Sequence, residues 1–380
     1  MQADEFNNEI SRCLGCKIKP CEKACPLGVS PRDFINAAKN QDFSQAAKII
    51  AAKNPLPQTC GMICPDKFCQ KSCIRARMDN ALQIPCLQAE IMHRGGYPEL
   101  TLPPKNNKKA AVIGGGPAGL GATFELLLAG WQIDIYEKSS ILGGAVRLIP
   151  EYRLPKSVFD YEISRITENE RVHVYFNQEI TDFQALNQKY DGVILALGET
   201  QIRKLNINGD KYCTPYTSYL CHPEQFKAKK VAISGGGEVA LDCAITAKKN
   251  GSEYVELFVR RRIEDMRIQN RDREQLKEFG IIIRDLSSVT EIKKQEATYT
   301  LCAIKNRIND KGLAEAIPET TYLLSGYDMF IEALGAYYPK DAIPNDFIIA
   351  GDMTGSGGTV VQALASGRNA ARQLIEENKK

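Results

Sequence analysis

Thirteen cysteines stand in this 380-residue chain, and nine of them fall within the first 86 residues. Two tight runs hold eight: Cys13-x2-Cys16-x4-Cys21-x3-Cys25-Pro26 and Cys60-x3-Cys64-Pro65-x3-Cys69-x3-Cys73. Closely spaced thiolates are what a cubane iron–sulfur cluster needs, because each iron takes one soft sulfur ligand from the protein. Cys-Pro pairs suit the bacterial ferredoxin kind of spacing, although here the second gap of the first run is four residues rather than two. Zinc is the rival reading. A structural zinc site pairs two knuckles across a spacer and has no use for so many grouped cysteines. Unligated core cysteines are the third reading. The remaining Cys213, Cys221, Cys243 and Cys302 are scattered singly.

A second chemistry lies in the body of the chain. Ala110-Ala-Val-Ile-Gly114-Gly-Gly116-Pro117-Ala118-Gly119 is a short apolar strand running into G-x-G-x-x-G and then an apolar helix. In such a turn Gly114 permits the tight bend, Gly116 lets backbone approach a pyrophosphate, and Gly119 lets the helix pack on the strand. The next strand, Gln132 to Glu137, ends in the carboxylate that would accept hydrogen bonds from a ribose. The pattern recurs at Lys230-Val-Ala-Ile-Ser-Gly235-Gly-Gly237-Glu238-Val239-Ala240. Its following strand, Glu253 to Val259, ends instead in Arg260, Arg261 and Arg262, with Arg267 beyond. Guanidinium groups suit a ribose 2′-phosphate, so the second site leans toward NADPH. The bland reading of the arginines is a solvated charge run. Near the end, Phe347-Ile-Ile-Ala-Gly351-Asp352 is a strand with a Gly-Asp tip, followed by a glycine-rich turn and a helix from about Thr359. An acid there binds ribityl hydroxyls, and the helix start stabilises negative charge on a reduced flavin; otherwise Asp352 is a turn acid.

These groups need elements to hold them. Ser30-Pro31-Arg32-Asp33 reads as a helix start, and Phe43 to Ala52 carries helical apolar spacing. The pair predicts a helical hairpin that folds the two cysteine runs back against each other. A polar, proline-rich stretch from Leu102 to Lys109 reads as a linker. Asp191-Gly-Val-Ile-Leu-Ala196-Leu-Gly198 and Asp328-Met-Phe-Ile-Glu-Ala333-Leu-Gly335 are a matched pair of short strands. Apolar and charged contents of 43% and 25% are those of an ordinary globular chain, and a net charge of +3 gives no argument for a nucleic-acid or membrane surface. No apolar run has the length of a membrane span, and the N-terminus lacks a secretory pattern, so a cytoplasmic location is expected.

Taken together, these segments resemble a known family: the small subunit of glutamate synthase, the N-terminal half of dihydropyrimidine dehydrogenase, and bacterial flavin subunits of multi-component reductases. The match is carried by the two cysteine runs, Gly114-Gly-Gly-Pro-Ala-Gly119 and Gly143-Gly144-Ala-Val-Arg-Leu-Ile-Pro-Glu-Tyr-Arg153-Leu-Pro-Lys156. Gly235-Gly-Gly-Glu-Val-Ala-Leu-Asp242, Val259-Arg-Arg261 and Ala350-Gly-Asp352 add to it, so that it spans nearly the whole chain. The resemblance implies an α/β fold of two Rossmann-like nucleotide-binding domains, the second inserted in the first, preceded by a small all-α iron–sulfur domain. The expected bounds are 1–100 for the iron–sulfur domain, 108–228 with 325–380 for the FAD domain, and 229–324 for the NAD(P)H domain. FAD would be held by Gly116, Glu137, Arg153 and Asp352, with Lys138, Gly143, Gly144, Ile180, Gly198, Gly351, Thr359 and Val360 beside it. NADPH, or less readily NADH, would be held by Gly237, Glu238, Val239, Arg260, Arg261 and Arg267, with Ala333 to Gly335 on the nicotinamide side.

Two [4Fe-4S] clusters with interleaved ligands are also implied. Cys13, Cys16, Cys21 and Cys73 would hold one; Cys25, Cys64, Cys69 and Gln88 the other, with Cys60 and Cys86 competing for the fourth position. The implied activity is oxidation of NADPH at FAD, with electrons relayed through clusters to a separate catalytic subunit in a hetero-oligomer. That partner would be an FMN subunit of the dihydropyrimidine dehydrogenase type, a glutamate synthase large subunit or another reductase. Hydride transfer requires no acid–base side chain, so no catalytic residue is named. Two other classes remain in view. One is a stand-alone disulfide or small-acceptor reductase, of which the disulfide kind would need a redox-active cysteine pair, whose spacing the last four cysteines lack. A zinc-bearing, non-catalytic binding module would keep the fold alone.

Overall fold

The computed structural model describes residues 2–342, 346–355 and 358–379. Its chain divides into two compact units: Met1–Arg147, Glu151–Thr200 and Tyr338–Lys380 form the first, Leu148–Pro150 and Gln201–Tyr337 the second. Among the described residues no helix is long and apolar enough to cross a membrane.

The head of the first unit is helical: α1 (Ala3–Ser11), α2 (Pro31–Lys39), α3 (Phe43–Ala51), α4 (Pro57–Ile63) and α5 (Ile84–Gly95). Proline opens α2 and α4, where its missing N–H costs nothing and its fixed φ suits a first turn. Asp42 caps α3 by accepting from the Gln45 N–H at 2.9 Å. The expected hairpin is there: Phe34, Ile35 and Ala38 of α2 and Ala46, Ala47 and Ile50 of α3 are buried. Leu87, Ile91 and Met92 of α5 are buried with them. Between the helices run the cysteine-bearing segments, which are mostly turns.

The remainder of this unit is one parallel sheet of five strands. β1 (Lys109–Ile113), β2 (Gln132–Tyr136), β3 (Val172–Tyr175), β4 (Gly192–Leu195) and β5 (Ile348–Ile349) lie in the order β5-β4-β1-β2-β3. β1 is continuously apolar from Ala110 to Ile113 because it is buried on both faces. Helices α6 (Pro117–Leu128), α7 (Lys156–Thr167) and α8 (Val360–Glu377) complete the layer structure. α6 and α8 come very close: a Cβ on Gly121 would lie 2.4 Å from the Leu364 carbonyl oxygen, and one on Gly367 1.8 Å from that of Ala118.

The second unit repeats the design. Its parallel sheet runs 214–215, 329–332, 230–234, 254–258, 282–284, with helix Glu238–Lys249 following the second glycine loop. An antiparallel sheet of 287–295, 298–308 and 322–327 packs through Val289, Leu301 and Tyr327 against Ala232, Phe258 and Phe330. The second compact unit extends on both sides of the stretch 229–324. Thr214–Pro215 and Met329–Glu332 both hydrogen-bond into its parallel sheet, and Gln201–Ile202 pairs antiparallel with Ala336–Tyr337. The strand Met329–Glu332 therefore belongs to the parallel sheet of the second unit, which runs on to Tyr337.

Candidate functional site

The structure gathers the cysteines around two hollows. Cys13, Cys16, Cys21 and Cys73 line the first. Cys25, Cys60, Cys64, Cys69 and Gln88 line the second. Cys86 lines neither. Among the described residues no three His, Cys, Asp or Glu side chains converge as ligands of a single metal ion. Sulfurs set around a hollow fit a multi-iron group. Burial pushes the Cys21 thiol up to about 11, that of Cys69 up to about 12, and that of Cys25 upward. The neighbouring Cys60 thiol, together with burial, holds Cys64 well above the ordinary thiol range. Iron would displace protons from these thiols on loading. Gln88 Nε2 donates to the Pro57 carbonyl at 2.6 Å, which fixes the amide and leaves its oxygen as the group free to ligate.

Two buried charged residues, not singled out from the sequence, tie the second hollow to the sheet. Glu162 of α7 is fully buried and accepts from the Gln58 and Thr59 N–H groups at 2.6 and 3.0 Å. These are first-turn amides of α4, the helix that carries Cys60 and leads into Cys64. Tyr97 Oη reaches the same carboxylate at 3.1 Å, and the Arg165 guanidinium lies over the Tyr97 ring. Burial outweighs these donors and raises Glu162 to about 7. Arg368 of α8, 5% exposed, donates to the Lys53 carbonyl and pairs with Glu125 of α6 at 2.6 Å. Segment 53–59 is thus pinned at both ends by charges from the sheet side, while Val361 of α8 helps line the hollow. A sequence signal existed. Phe159, Glu162, Ile163 and Ile166 form one buried stripe on α7, and an acid in an apolar stripe asks for a partner.

At the carboxyl end of β1, Gly114 has φ +106, and a Cβ there would lie 2.4 Å from the Ala196 carbonyl oxygen. Gly119 is excluded from bearing a side chain by the Gly114 carbonyl, 1.9 Å from its would-be Cβ. Pro117 and Ala118 open α6, so its free N–H groups face the loop. Glu137, 7% exposed, accepts from the Gly115 and Ser139 N–H groups at 2.8 and 2.9 Å, which holds its carboxylate beside the glycine turn. Gly143 (φ +118) donates its N–H to the Gly115 carbonyl, and a Cβ on Gly144 would meet the Gly116 Cα at 3.2 Å. Gly351 also crowds this loop, its would-be Cβ 2.7 Å from that of Ala118. Asp352 accepts from the Gly358 N–H at 2.9 Å, and Thr359 caps α8 just before Val360. These residues come together at one end of the sheet. Lys138 is exposed beside Glu137, and Arg153 is half-buried. Ile180 is half-buried and packs against the cluster that contains Ile113 and Leu195, and Gly198 closes the turn after β4 at φ +68.

The second unit has the same loop with different chemistry around it. A Cβ on Gly235 would lie 2.3 Å from the Ala333 carbonyl oxygen, the counterpart of the Gly114–Ala196 approach. Around Gly237 space is open. Glu238 and Val239 begin the helix that follows. Arg267 is drawn to the loop by its N–H bond to the Gly236 carbonyl and its bridge to Gly237. Arg260 and Arg267 are exposed, Arg261 is half-buried, and none of their guanidinium groups pairs with a carboxylate among the described residues. Gly335 turns at φ +79 after Ala333. All thirteen cysteines are free. Burial pushes Cys213 up to about 12 and Cys243 well above the ordinary thiol range, the opposite of what a redox-active pair needs.

Residues 108–318 match the pyridine nucleotide-disulphide oxidoreductase family, and the chain belongs to that family. It is an oxidoreductase with FAD- and NAD(P)H-type nucleotide folds. Residues 1–95 match the dihydropyrimidine dehydrogenase domain II, 4Fe-4S cluster family, so the head is an iron–sulfur domain. The chain is 29% identical over 388 residues to the NAD-dependent dihydropyrimidine dehydrogenase subunit PreT of Escherichia coli (strain K12), covering 96% of this chain and 92% of that one. It is 31% identical over 278 residues to the NADPH-Fe(3+) oxidoreductase subunit beta of Geobacter sulfurreducens, covering 68% of this chain and 41% of the relative. The solved structure of Mycobacterium tuberculosis FprA in complex with NADPH superposes with a TM-score of 0.60 at 17% identity, covering 72% of this chain and 85% of that one. That likeness extends to the fold.

Proposed function

We propose that this chain is the electron-input subunit of a multi-component reductase, oxidising NADPH and delivering single electrons to a separate catalytic subunit. One observation carries the reading: the glycine loop for a flavin nucleotide and two cysteine-lined hollows are built into the same compact unit. When bound, flavin and iron–sulfur groups supply the conversion of a two-electron hydride donor into single electrons. The chain's own residues position and insulate. The α6 N-terminus and Gly116 would receive the pyrophosphate, Glu137 the adenosine ribose, Asp352 the ribityl chain, and the α8 N-terminus the negative charge of the reduced ring. Arg153, Lys138, Gly143 and Gly144 would border that nucleotide. Gly237 and Glu238 would receive the second nucleotide, and Arg260, Arg261 and Arg267 its 2′-phosphate. Cys13, Cys16, Cys21 and Cys73 would ligate one cluster, and Cys25, Cys64, Cys69 and Gln88 the other. Cys60 would then remain as a thiol beside Cys64.

The names of the relatives differ over the nucleotide, one NAD-dependent and one NADPH-linked. Arg260, Arg261 and Arg267, whose guanidinium groups pair with no carboxylate among the described residues, favour NADPH here. Both relatives are named as subunits, which favours a partner polypeptide, and the full-length likeness to PreT favours one of the dihydropyrimidine dehydrogenase type. The test is an anaerobic titration with NADPH and separately with NADH, followed from the near-ultraviolet to the near-infrared. NADPH should bleach both a flavin spectrum and a broad iron–sulfur band, with NADH the poorer reductant. Bleaching of flavin alone in protein that holds zinc and no iron would sink the relay.

A further inference from the structure

Charge is not spread evenly along the chain. Segments 12–35 and 66–79, which hold six of the cysteines lining the two hollows, contain nine Lys and Arg against four Asp and Glu. That net +5 exceeds the +3 of the whole chain, so the rest is slightly acidic. The four acids in these segments are already engaged. Asp79 pairs with Arg12 and Arg75, Asp33 with Lys19 and Arg32, and Glu22 with Lys19, while Asp66 has its own partner. Lys17, Lys71 and Arg77 are left exposed, and none pairs with a carboxylate among the described residues.

The same stretch exposes apolar side chains. Met78 and Ile18, at 67% and 66%, are the two most exposed large hydrophobic residues described, and Leu14 is 45% exposed. Leu14 lines the first hollow, Ile18 stands in the chain beside the lining residue Lys19, and Met78 follows the 3-10 turn Ile74–Arg77, whose Ile74 and Arg75 line it. Arg12, next to Cys13, bonds Asp79 at 3.0 Å and so ties the two segments into one rim. Holding iron needs cysteines and backbone amides, and it gives no reason to place an isoleucine and a methionine in water. Exposed apolar residues in the same segments as cations that have no carboxylate partner among the described residues are the composition of an interface that is covered by a partner.

Resting on the electron-input reading above, we propose that the rim of the first hollow is the docking face for the electron-accepting protein, whose own face presents carboxylates around an apolar centre. Opposite charge would steer the encounter and fix its orientation, and Leu14, Ile18 and Met78 would exclude water where the electron crosses. Each NADPH oxidised to NADP+ and a proton reduces two one-electron acceptor molecules, one after the other.

The intact, cofactor-loaded chain can be tested against three acceptors: cytochrome b5 as an acidic one-electron protein, cytochrome c as a basic one, and menadione as a small neutral acceptor. Calorimetric binding of cytochrome b5 is measured alongside. Binding and reduction of cytochrome b5 should exceed those of cytochrome c, and should weaken several-fold from about 20 to about 200 mM salt. Lys17→Glu with Arg77→Glu should lower both by about tenfold, the size expected when a steering pair is reversed. Ile18→Ser with Met78→Ser should weaken binding while leaving its salt dependence in place. Menadione reduction should stay at the parent level throughout, as should every property of Lys294→Glu, a reversal on the second unit. Should the glutamate pair disturb iron content, Lys17→Gln with Arg77→Gln is the measurement to keep. A parent that prefers cytochrome c, or charge variants that bind cytochrome b5 as the parent does, would overturn the docking face while normal menadione reduction left the electron-input reading standing. Failure of NADPH to reduce even menadione would bring down both.

Discussion

Arg267 is held at the second glycine loop by its backbone bond to Gly236, and Arg260 follows the strand Tyr254–Phe258; in the proposed function both would receive the ribose 2′-phosphate. Charge-assisted hydrogen bonds of this kind contribute about 1.5–3 kcal/mol each. Replacing both by Ala should therefore raise the apparent KM for NADPH by about tenfold or more, with the value for NADH within about twofold; equal effects on the two nucleotides would refute the phosphate role. Glu162 makes a different prediction. Its carboxyl is raised to about 7 from 4.5, so the folded chain holds a proton that the unfolded chain releases. The resulting stabilisation is complete below about pH 4.5 and is lost as pH rises through 7, a span worth on the order of 3 kcal/mol. Denaturant midpoints read from Trp131, the single and buried tryptophan of the first unit, should fall over that window in the parent and stay flatter in Glu162→Gln. A parent as flat as the variant would show that the carboxyl is already ionised at low pH.

Among the elements, the crossing of α6 and α8 is the tightest contact beside the flavin loop. Gly367→Ala would force a methyl group against the Ala118 carbonyl and should cost about 1–3 kcal/mol, with loss of bound flavin as the visible sign. Unchanged melting and flavin content would mean that α8 can shift. Much at this scale was legible in the sequence. Both glycine loops, the helical hairpin of the head and the strands ending at Ala196 and Ala333 announce themselves through local pattern, because burial on two faces and positive φ leave few residue choices. Less legible were features made by distant pairing. Glu162 meets Gln58 and Thr59, and Arg368 meets Lys53, across large sequence separations that no local window spans. The pairing that bounds the second unit was illegible for a related reason, since Gln201–Ile202 and Ala336–Tyr337 are strands of two residues whose only signal is each other. Cysteine spacing alone did not assign Cys73 to the first hollow and Cys25 to the second; the fold of the intervening hairpin does that.

For the molecule as a whole, the second unit has its own sheet and two buried clusters of its own, one around Val231, Leu241 and Leu257 and one around Phe258, Leu301 and Phe330. Residues 201–337 expressed alone should fold cooperatively and bind 2′-phosphorylated adenine nucleotides without binding flavin. A fragment that stays unfolded would show that its stability is borrowed. The antiparallel pair that opens and closes this excursion, Ile202 beside Ala336, carries a consequence for how the chain reaches its native state. β4 and β5 are neighbours in the first sheet, yet the entire insert separates them in sequence. While the insert is uncoiled, joining them means closing a very long loop, at an entropic cost that grows with the logarithm of its length. Once Ile202 and Ala336 have paired, the same excursion presents the ends of a short hairpin, and most of that cost is gone. The edge of the flavin sheet should therefore be a late event, waiting on the insert, and a core mutation around Leu257 should slow the acquisition of flavin by refolding chains although it lies in the other unit.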